Sequence, residues 1–253
     1  CASTEDEISF KDLAGRLMRT GGPVTCSVSA VSPGIGPIIA GNLVDVEVDP
    51  ETGEVTYVPD RIPEIGVQIE MCPSTAGFKS WRAMSYYPEL ETFFIPINLN
   101  CETAVFGPVD RVAGGGGTGP VRRTNHHHPD SGEQLGEFLA MSMLTGEVQW
   151  RRRFRTPITS AALTTAGGLA IAGGWDRDIF VFDVRSGDTL WSTKLPTSIQ
   201  GFPITYAVNG KQYLAIPTGA GGASWGGMLP AQLTPEATRP VGGNGLFVFA
   251  LPD

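Results

Sequence analysis

The sequence predicts a mainly β protein assembled from four-stranded antiparallel blades, and three observations lead there. Of 253 residues, 33 are glycine and 20 are proline, roughly a fifth of the chain and well above the usual ~12%. Apolar residues still make up 41%, so the excess marks tight turns between short strands and not disorder. A segment also recurs. Ala140-Met141-Ser142-Met143-Leu144-Thr145-Gly146-Glu147-Val148-Gln149-Trp150 aligns with Val181-Phe182-Asp183-Val184-Arg185-Ser186-Gly187-Asp188-Thr189-Leu190-Trp191 at a constant offset of 41 residues, about one propeller blade. In each copy a small or branched residue fills the sheet interior, and a hydroxyl residue with Gly makes the hairpin turn. The closing Trp covers apolar area between neighbouring blades. A blade cannot bury both faces alone, so it needs neighbours.

Along the chain, residues 1–58 read as a small α+β segment. Ser9 precedes Phe10, Leu13, Ala14, Leu17 and Met18, a helical stripe. Ser9 with Asp12 has capping-box spacing, and Gly21-Gly22-Pro23 stops the helix. Residues 42–58 read as a hairpin. Val44, Val46 and Val48 alternate with Asp45 and Glu47, Asp49 to Gly53 make the turn, and Val55 and Tyr57 continue on the return strand. The character changes near residue 59, after which all five tryptophans fall. The run Phe93-Phe94-Ile95-Pro96-Ile97 reads as a strand. Residues 107–136 read as a long Gly-rich loop carrying His126, His127 and His128. From about residue 138 onward, four-stranded blades are expected, with Trp150 and Trp191 in equivalent positions.

The charge balance excludes some functions. Lys and Arg total 18 against 26 Asp and Glu, a net charge of −8, with no basic run beyond Arg151-Arg152-Arg153, which disfavours a nucleic-acid partner. No stretch approaches the ~20 apolar residues of a membrane-spanning helix. The chain begins at Cys1 without Met or signal sequence, which fits a processed or truncated product. Cys1, Cys26, Cys72 and Cys101 form no C-x-x-C pair, so a zinc site of familiar spacing is absent. Three adjacent histidines cannot all face one metal from a strand, so loop polarity is the favoured reading of 126–128 over metal binding.

The repeat resembles the tryptophan-docking motif of the pyrroloquinoline quinone (PQQ) dependent alcohol dehydrogenases. Further stretches agree in order: Cys72-Pro73-Ser74 leading to Lys79-Ser80-Trp81, then Thr165 to Leu169, Gly201 to Tyr206, Gly210 to Tyr213, Gly219 to Gly222, and Leu246 to Phe249. The similarity covers residues 59–253. It implies the C-terminal portion of an eight-bladed propeller with PQQ on its axis beside a Ca²⁺. The implied reaction is hydride transfer from a small-molecule alcohol to the quinone, with a cytochrome c or quinone as electron acceptor and the periplasm as location. The family's Ca²⁺ ligands, catalytic Asp and stacking Trp lie in earlier blades that this chain lacks, so the implied propeller is incomplete. Another chain completing it is therefore an expected partner, and open edges are expected to drive self-association.

The residue-level implications are four cofactor-binding positions and one pairing. Ser80 falls where the family commonly has an Asn touching the cofactor. Thr159 falls where some members place a Trp. Gly222 matches the backbone approach to PQQ, and Trp225 sits two residues later than the family's following Trp. Packing and surface charge are the competing readings for Lys79 and Trp81. The resembling dehydrogenases often carry a cystine where Cys72 and Cys101 stand, and two buried thiols are the alternative.

Residues 1–58 do not fit that pattern. Asn42 to Val55 is similar to the molybdopterin-binding subunit of xanthine dehydrogenase-type hydroxylases, while Asp49, Thr52, Gly53 and Tyr57 also share the docking-motif spacing of a degenerate blade. Besides the dehydrogenase reading, the sequence leaves a non-catalytic propeller fragment and a molybdenum hydroxylase remnant as alternatives.

Overall fold

The computed structural model describes residues 62–79, 82–109, 120–219, 225–237 and 242–250, together with Thr52 and four short strands nearer the N-terminus. Strands β1 (Phe10–Lys11) and β2 (Leu17–Met18) pair antiparallel, Phe10 opposite Met18. This corrects the helix expected from Ser9 onward. Gly15 interrupts the stripe, and a helix of about three turns without tertiary packing is marginal in water. The rest of residues 1–45 lies outside the described residues. Strands β3 (Val46–Val48) and β4 (Val55–Tyr57) form the expected hairpin, with Val46 opposite Tyr57 and Val48 opposite Val55.

Strand β5 (Gln68–Met71) is followed by β6 (Ser85–Tyr87), β7 (Thr92–Asn98) and β8 (Asn100–Phe106). Then come β9 (Val121–His127), β10 (Gly136–Ser142) and β11 (Val148–Phe154). The first blade is the sheet β11-β10-β7-β6, while β8 and β9, inserted between β7 and β10, form a separate three-stranded sheet with β5, which precedes the blade. The blade therefore starts at Ser85 and not near 138. The reading of 107–136 as one loop is corrected too. Val121–His127 pairs with β8 along its whole length, from Asn100 opposite His127 to Phe106 opposite Val121. Its polar residues alternate across the two faces, so backbone pairing and not apolar burial makes it a strand.

The second blade runs β12 (Leu163–Thr165), β13 (Leu169–Gly173), β14 (Asp178–Asp183) and β15 (Thr189–Lys194) in order. A third sheet has β16 (Ile204–Val208), β17 (Lys211–Thr218) and, after helix α1 (Trp225–Leu233), β18 (Gly245–Ala250). All strand pairs within these sheets are antiparallel.

The 41-residue repeat is exact at the level of hydrogen bonds. Trp150 stands opposite Ala140 and Trp191 opposite Val181, and a register shift follows each at the same point. Ser142 N donates to Glu147 O and Gly146 N to Ser142 O, each at 2.9 Å, and Asp183 with Asp188 and Gly187 repeats both bonds at 2.9 Å. Ser142 Oγ accepts from Leu144 N and Thr145 N, as Asp183 Oδ1 accepts from Arg185 N and Ser186 N. Those two donors hold the Asp183 carboxyl below its ordinary pKa.

The two tryptophans differ in cover. Trp150 is buried among Phe94, Phe138 and Phe182, and its indole N–H donates to Val184 O of the second blade at 2.9 Å. Trp191 is 40% exposed and meets Phe249 of the third sheet edge-on. One face of that third sheet packs on the second blade through Leu214, Ile216, Phe247 and Phe249. The other leaves Ile204, Tyr206, Val208, Leu246 and Val248 exposed.

Two outcomes follow from this packing. Gly187 has φ +68°, and a Cβ there would stand 2.5 Å from Cδ2 of Trp150. Gly187→Ala is expected to destabilise the chain by about 2–4 kcal/mol in urea unfolding. Gly210→Ala, with φ +80° but nothing within 4 Å, costs about 1 kcal/mol. The exposed face of the third sheet should drive association, so sedimentation velocity should show mass rising with concentration. An Ile204→Lys and Val248→Lys pair should reduce that association.

Candidate functional site

The connections entering β6, β12 and β16 lie at the same end of three successive sheets and are stitched to one another. Ala162 N donates to Ala83 O at 2.9 Å, and Ala161 N donates to Gly201 O at 3.2 Å. Thr164 Oγ1 of β12 reaches Tyr86 O of β6 at 3.3 Å, so these first strands are neighbours. The hairpin joining β13 to β14 reinforces the same rim: Trp175 N donates to Pro157 O at 3.0 Å and Ser198 Oγ to Trp175 O at 2.7 Å. Small and hydroxyl residues make this close approach possible. Ser160 Oγ accepts from Gly173 N at 2.7 Å and donates to Ala161 O at 2.8 Å.

Of the four expected cofactor positions, Thr159 is described and lies in this rim. It is buried, and its Oγ1 donates to Ile199 O at 2.7 Å while its N–H donates to Gly173 O at 3.0 Å. Its hydroxyl thus joins the second and third connections. Ser80 and Gly222, with Trp81, lie outside the described residues, and Trp225 opens α1 with its side chain outside them as well. Lys79, on the edge of the first connection, donates from Nζ to Arg82 O. Its pKa is lowered, by burial first and by the Arg82 charge second.

Two rim groups escaped the sequence reading. Arg82 is 6% exposed. Burial alone pulls its pKa from the ordinary arginine value to about 10, with no carboxylate contributing. With the Asn98 amide turned so that its oxygen faces the guanidinium, that oxygen accepts from Arg82 at 3.0 and 3.3 Å, and among the described residues the buried Nε has no acceptor. Asp176, in the β13–β14 hairpin, has its pKa raised by burial first and by Asp178 second. Lys194 Nζ donates to Asp176 O at 2.9 Å and to Asp178 Oδ2 at 2.8 Å. A single Arg after a Trp and one Asp in a turn carry no sequence pattern that would announce them.

The three histidines do not converge on a metal. His126 pairs with Glu70 at 3.3 Å, His127 Nε2 lies 3.3 Å from Leu233 O of α1, and His128 Nδ1 accepts from Asp130 N. Among the described residues there is no group of three or more His, Cys, Asp or Glu that could hold a metal ion. Cys72 and Cys101 form a disulfide with their Cα atoms 4.3 Å apart. The pairing of β5 with β8 sets it: Met71 stands opposite Glu102, and the cystine occupies the next register position.

These features are those of a β-propeller built from tryptophan-docked antiparallel blades. Residues 126–214 match the family described as PQQ: glucose/ethanol/alcohol dehydrogenase, beta-propeller domain. The quinoprotein ethanol dehydrogenase of Pseudomonas aeruginosa is 32% identical over 203 residues, 79% of this chain and 31% of that protein. Subunit 1 of methanol dehydrogenase [cytochrome c] from Methylorubrum extorquens is 30% identical over 230 residues, 84% of this chain and 35% of its own. A solved europium-containing methanol dehydrogenase superposes with a TM-score of 0.72 at 26% identity, covering 83% of this chain and 40% of that one. The chain is thus a portion of a propeller of the PQQ-dependent alcohol dehydrogenase type, spanning about a third of the length of these curated relatives. None of these relatives is a molybdenum hydroxylase, and the resemblance of residues 42–55 to that family gains no support from them.

The buried guanidinium yields a test. An arginine whose pKa is lower folded than unfolded opposes folding while it stays charged. That cost is full below about pH 10, and it fades as pH rises towards the ordinary arginine value. Arg82→Met, which keeps the volume and removes the charge, is expected to stabilise the chain by about 1–3 kcal/mol at pH 7. Chemical denaturation checks this, and a destabilised variant would mark Arg82 as a net structural contributor.

Proposed function

We propose that residues 59–253 form one wall of the cofactor site of a PQQ-dependent alcohol dehydrogenase and that residues 1–58 form a separate segment. The observation that carries this reading is the stitched rim with Arg82 in it. A cationic donor buried, among the described residues, without a carboxylate suits PQQ, which carries three carboxylates, and the Arg82 Nε, without an acceptor among those residues, is consistent with that fit. Ser80, Gly222 and Trp225 would flank the cofactor on the same wall. Thr159 would act through the backbone, since its hydroxyl is committed to Ile199 O.

PQQ when bound supplies the two-electron acceptor for hydride from an alcohol carbon. This chain's own part is to bind and orient. Arg82 and Lys79 supply positive charge at the first connection, and the Thr159 and Ser160 hydrogen bonds hold the second against the third. Among the described residues no group of three or more His, Cys, Asp or Glu could hold the Ca²⁺ or other metal of such an enzyme, and this reading places its ligands and the catalytic base outside them. The substrate would be a small alcohol and the electron acceptor a cytochrome c, as the name of the methanol dehydrogenase relative suggests. The periplasm is the matching compartment, and it suits a cystine. No helix of the described residues is long and apolar enough to cross a membrane. The exposed face of the third sheet would be covered by a further blade, whether from the same protein or from another chain.

Titration of the chain with PQQ is expected to shift the quinone absorbance and to saturate. Alcohol oxidation with added Ca²⁺ and an artificial acceptor should stay at background. An unchanged quinone spectrum at millimolar protein would overturn the cofactor-wall reading, and turnover that survives removal of contaminating dehydrogenases would overturn the assignment of the base elsewhere.

A further inference from the structure

The cystine sits in a different chemical setting from the rest of the inserted sheet. A surface pocket is lined by Glu70, Met71, Cys72, Cys101, His126 and Pro129. Both cysteines line the pocket, Cys72 half-buried and Cys101 1% exposed, so Cys72 is the more accessible end of the bond. His126 stands directly opposite Cys101 in the β8–β9 register, where opposed side chains share a face. Its Nε2 is 3.3 Å from Glu70 Oε2, and Glu70 is itself held by the Thr103 hydroxyl at 2.7 Å. Across the three strands this gives a half-buried cysteine, a buried one and, opposite the buried one in register, an imidazole oriented by Glu70.

We propose that Cys72–Cys101 is a thiol-exchange site, attacked at Cys72, with Cys101 as the leaving thiolate and His126 as the group that receives it. The co-reactant is a small thiol or dithiol. Its thiolate forms a new S–S bond to Cys72 Sγ as the Cys72–Cys101 bond breaks, and the electron pair leaves on Cys101 Sγ. That sulfur takes, by way of water, the proton released as the attacking thiol ionises, while the His126 N–H donates a hydrogen bond to the thiolate as it forms. A second thiol then displaces the first from Cys72, so the protein gains two thiols and the co-reactant is oxidised to its disulfide.

The structural consequence reaches the rim. Strand β5 is an edge strand that pairs with β8 alone, and seven positions beyond Cys72 the chain reaches Lys79. Besides the cystine, residues 72–79 are tied to β7 and β8 by Ser74 N to Asn100 O, Thr75 N to Glu102 Oε1 and Asn98 N to Phe78 O, with Phe78 buried in the core. Reduction therefore loosens residues 68–79, the covalent lead into the first rim connection. This last effect on the site rests on the cofactor-wall reading, whereas the exchange chemistry does not.

The test uses the full chain with Cys1→Ser and Cys26→Ser, so that no other thiol confuses the map. Oxidised protein is treated with glutathione under native conditions, quenched in acid and digested. The expected product carries glutathione on Cys72 and a free thiol on Cys101, and His126→Gln should slow its formation about fivefold or more with an unchanged melting temperature. Glutathione on Cys101, no adduct short of denaturing conditions, or a rate unaffected by His126→Gln overturns the proposal. Hydrogen exchange after reduction should rise in residues 68–79 and not in 163–194. An unchanged pattern would leave no route from the cystine to the rim. Neither readout depends on whether PQQ binds.

Discussion

The docking of Trp150 onto Gly187 is the contact on which the arrangement of the first two blades rests. A propeller blade has no stable existence alone, because each sheet has two apolar faces and only a neighbour can cover them. Trp150 does three things at once. It covers apolar area beside Phe94, Phe138 and Phe182, it satisfies Val184 O through its indole N–H, and it fills the space left by a residue with no Cβ. The left-handed conformation at Gly187 closes the turn that presents Val184 O. Tryptophan and glycine are therefore one device divided between two blades, and the angle between the blades is set where they meet.

The rim is a consequence of that angle. Once the first two blades are docked, β6 and β12 come side by side, and the connections leading into them are close enough for direct backbone hydrogen bonds. Room for the bonds comes from Gly173 and Gly201 with Ser160 and Thr159 between them, a composition that would weaken a packed core but suits a crowded rim. Against this background the buried charge of Arg82 stands out. Folding has placed a guanidinium where desolvation dominates its energetics, a cost that a packing role would not require, since a methionine would fill the same volume.

What could be read beforehand and what could not divides along physical lines. The repeat was legible because its residues have interlocking roles. Gly, Trp and a hydroxyl or carboxyl turn residue must keep their spacing for the hairpin and docking to work, and the hydrogen bonds at Ser142 and Asp183 agree to within 0.1 Å on the backbone pair. The hairpin at Val46–Val48 was legible from alternation alone. The stripe from Phe10 to Met18 misled because a helical period in a short segment is a weak statement against strand pairing. Strand β9 was missed because Arg122 to His127 offers no apolar face, and only its partner β8 makes it a strand. Arg82 and Asp176 were invisible for another reason. Their chemistry comes from burial, which the local sequence does not encode.

The inserted sheet shows how an addition to a blade can be made rigid without a core of its own. Strands β5, β8 and β9 bury Met71, Cys101 and Ala104, and the sheet is also held at its margins. The cystine joins β5 to β8 at one end. At the other margin, Asn125 donates to Gln232 of α1 at 2.8 Å, and Arg155 at the end of the first blade pairs with Glu236 beyond α1 at 2.7 Å. Helix α1 belongs to the third sheet and β9 to the insertion in the first blade, so this polar seam spans blades that share no strand pairing. The arginine-rich run fits the same logic. Arg151 and Arg153 serve the buried Glu137, and Arg152 reaches Asp188 in the second blade. What reads in the sequence as a basic run ties strands and blades together through these ion pairs.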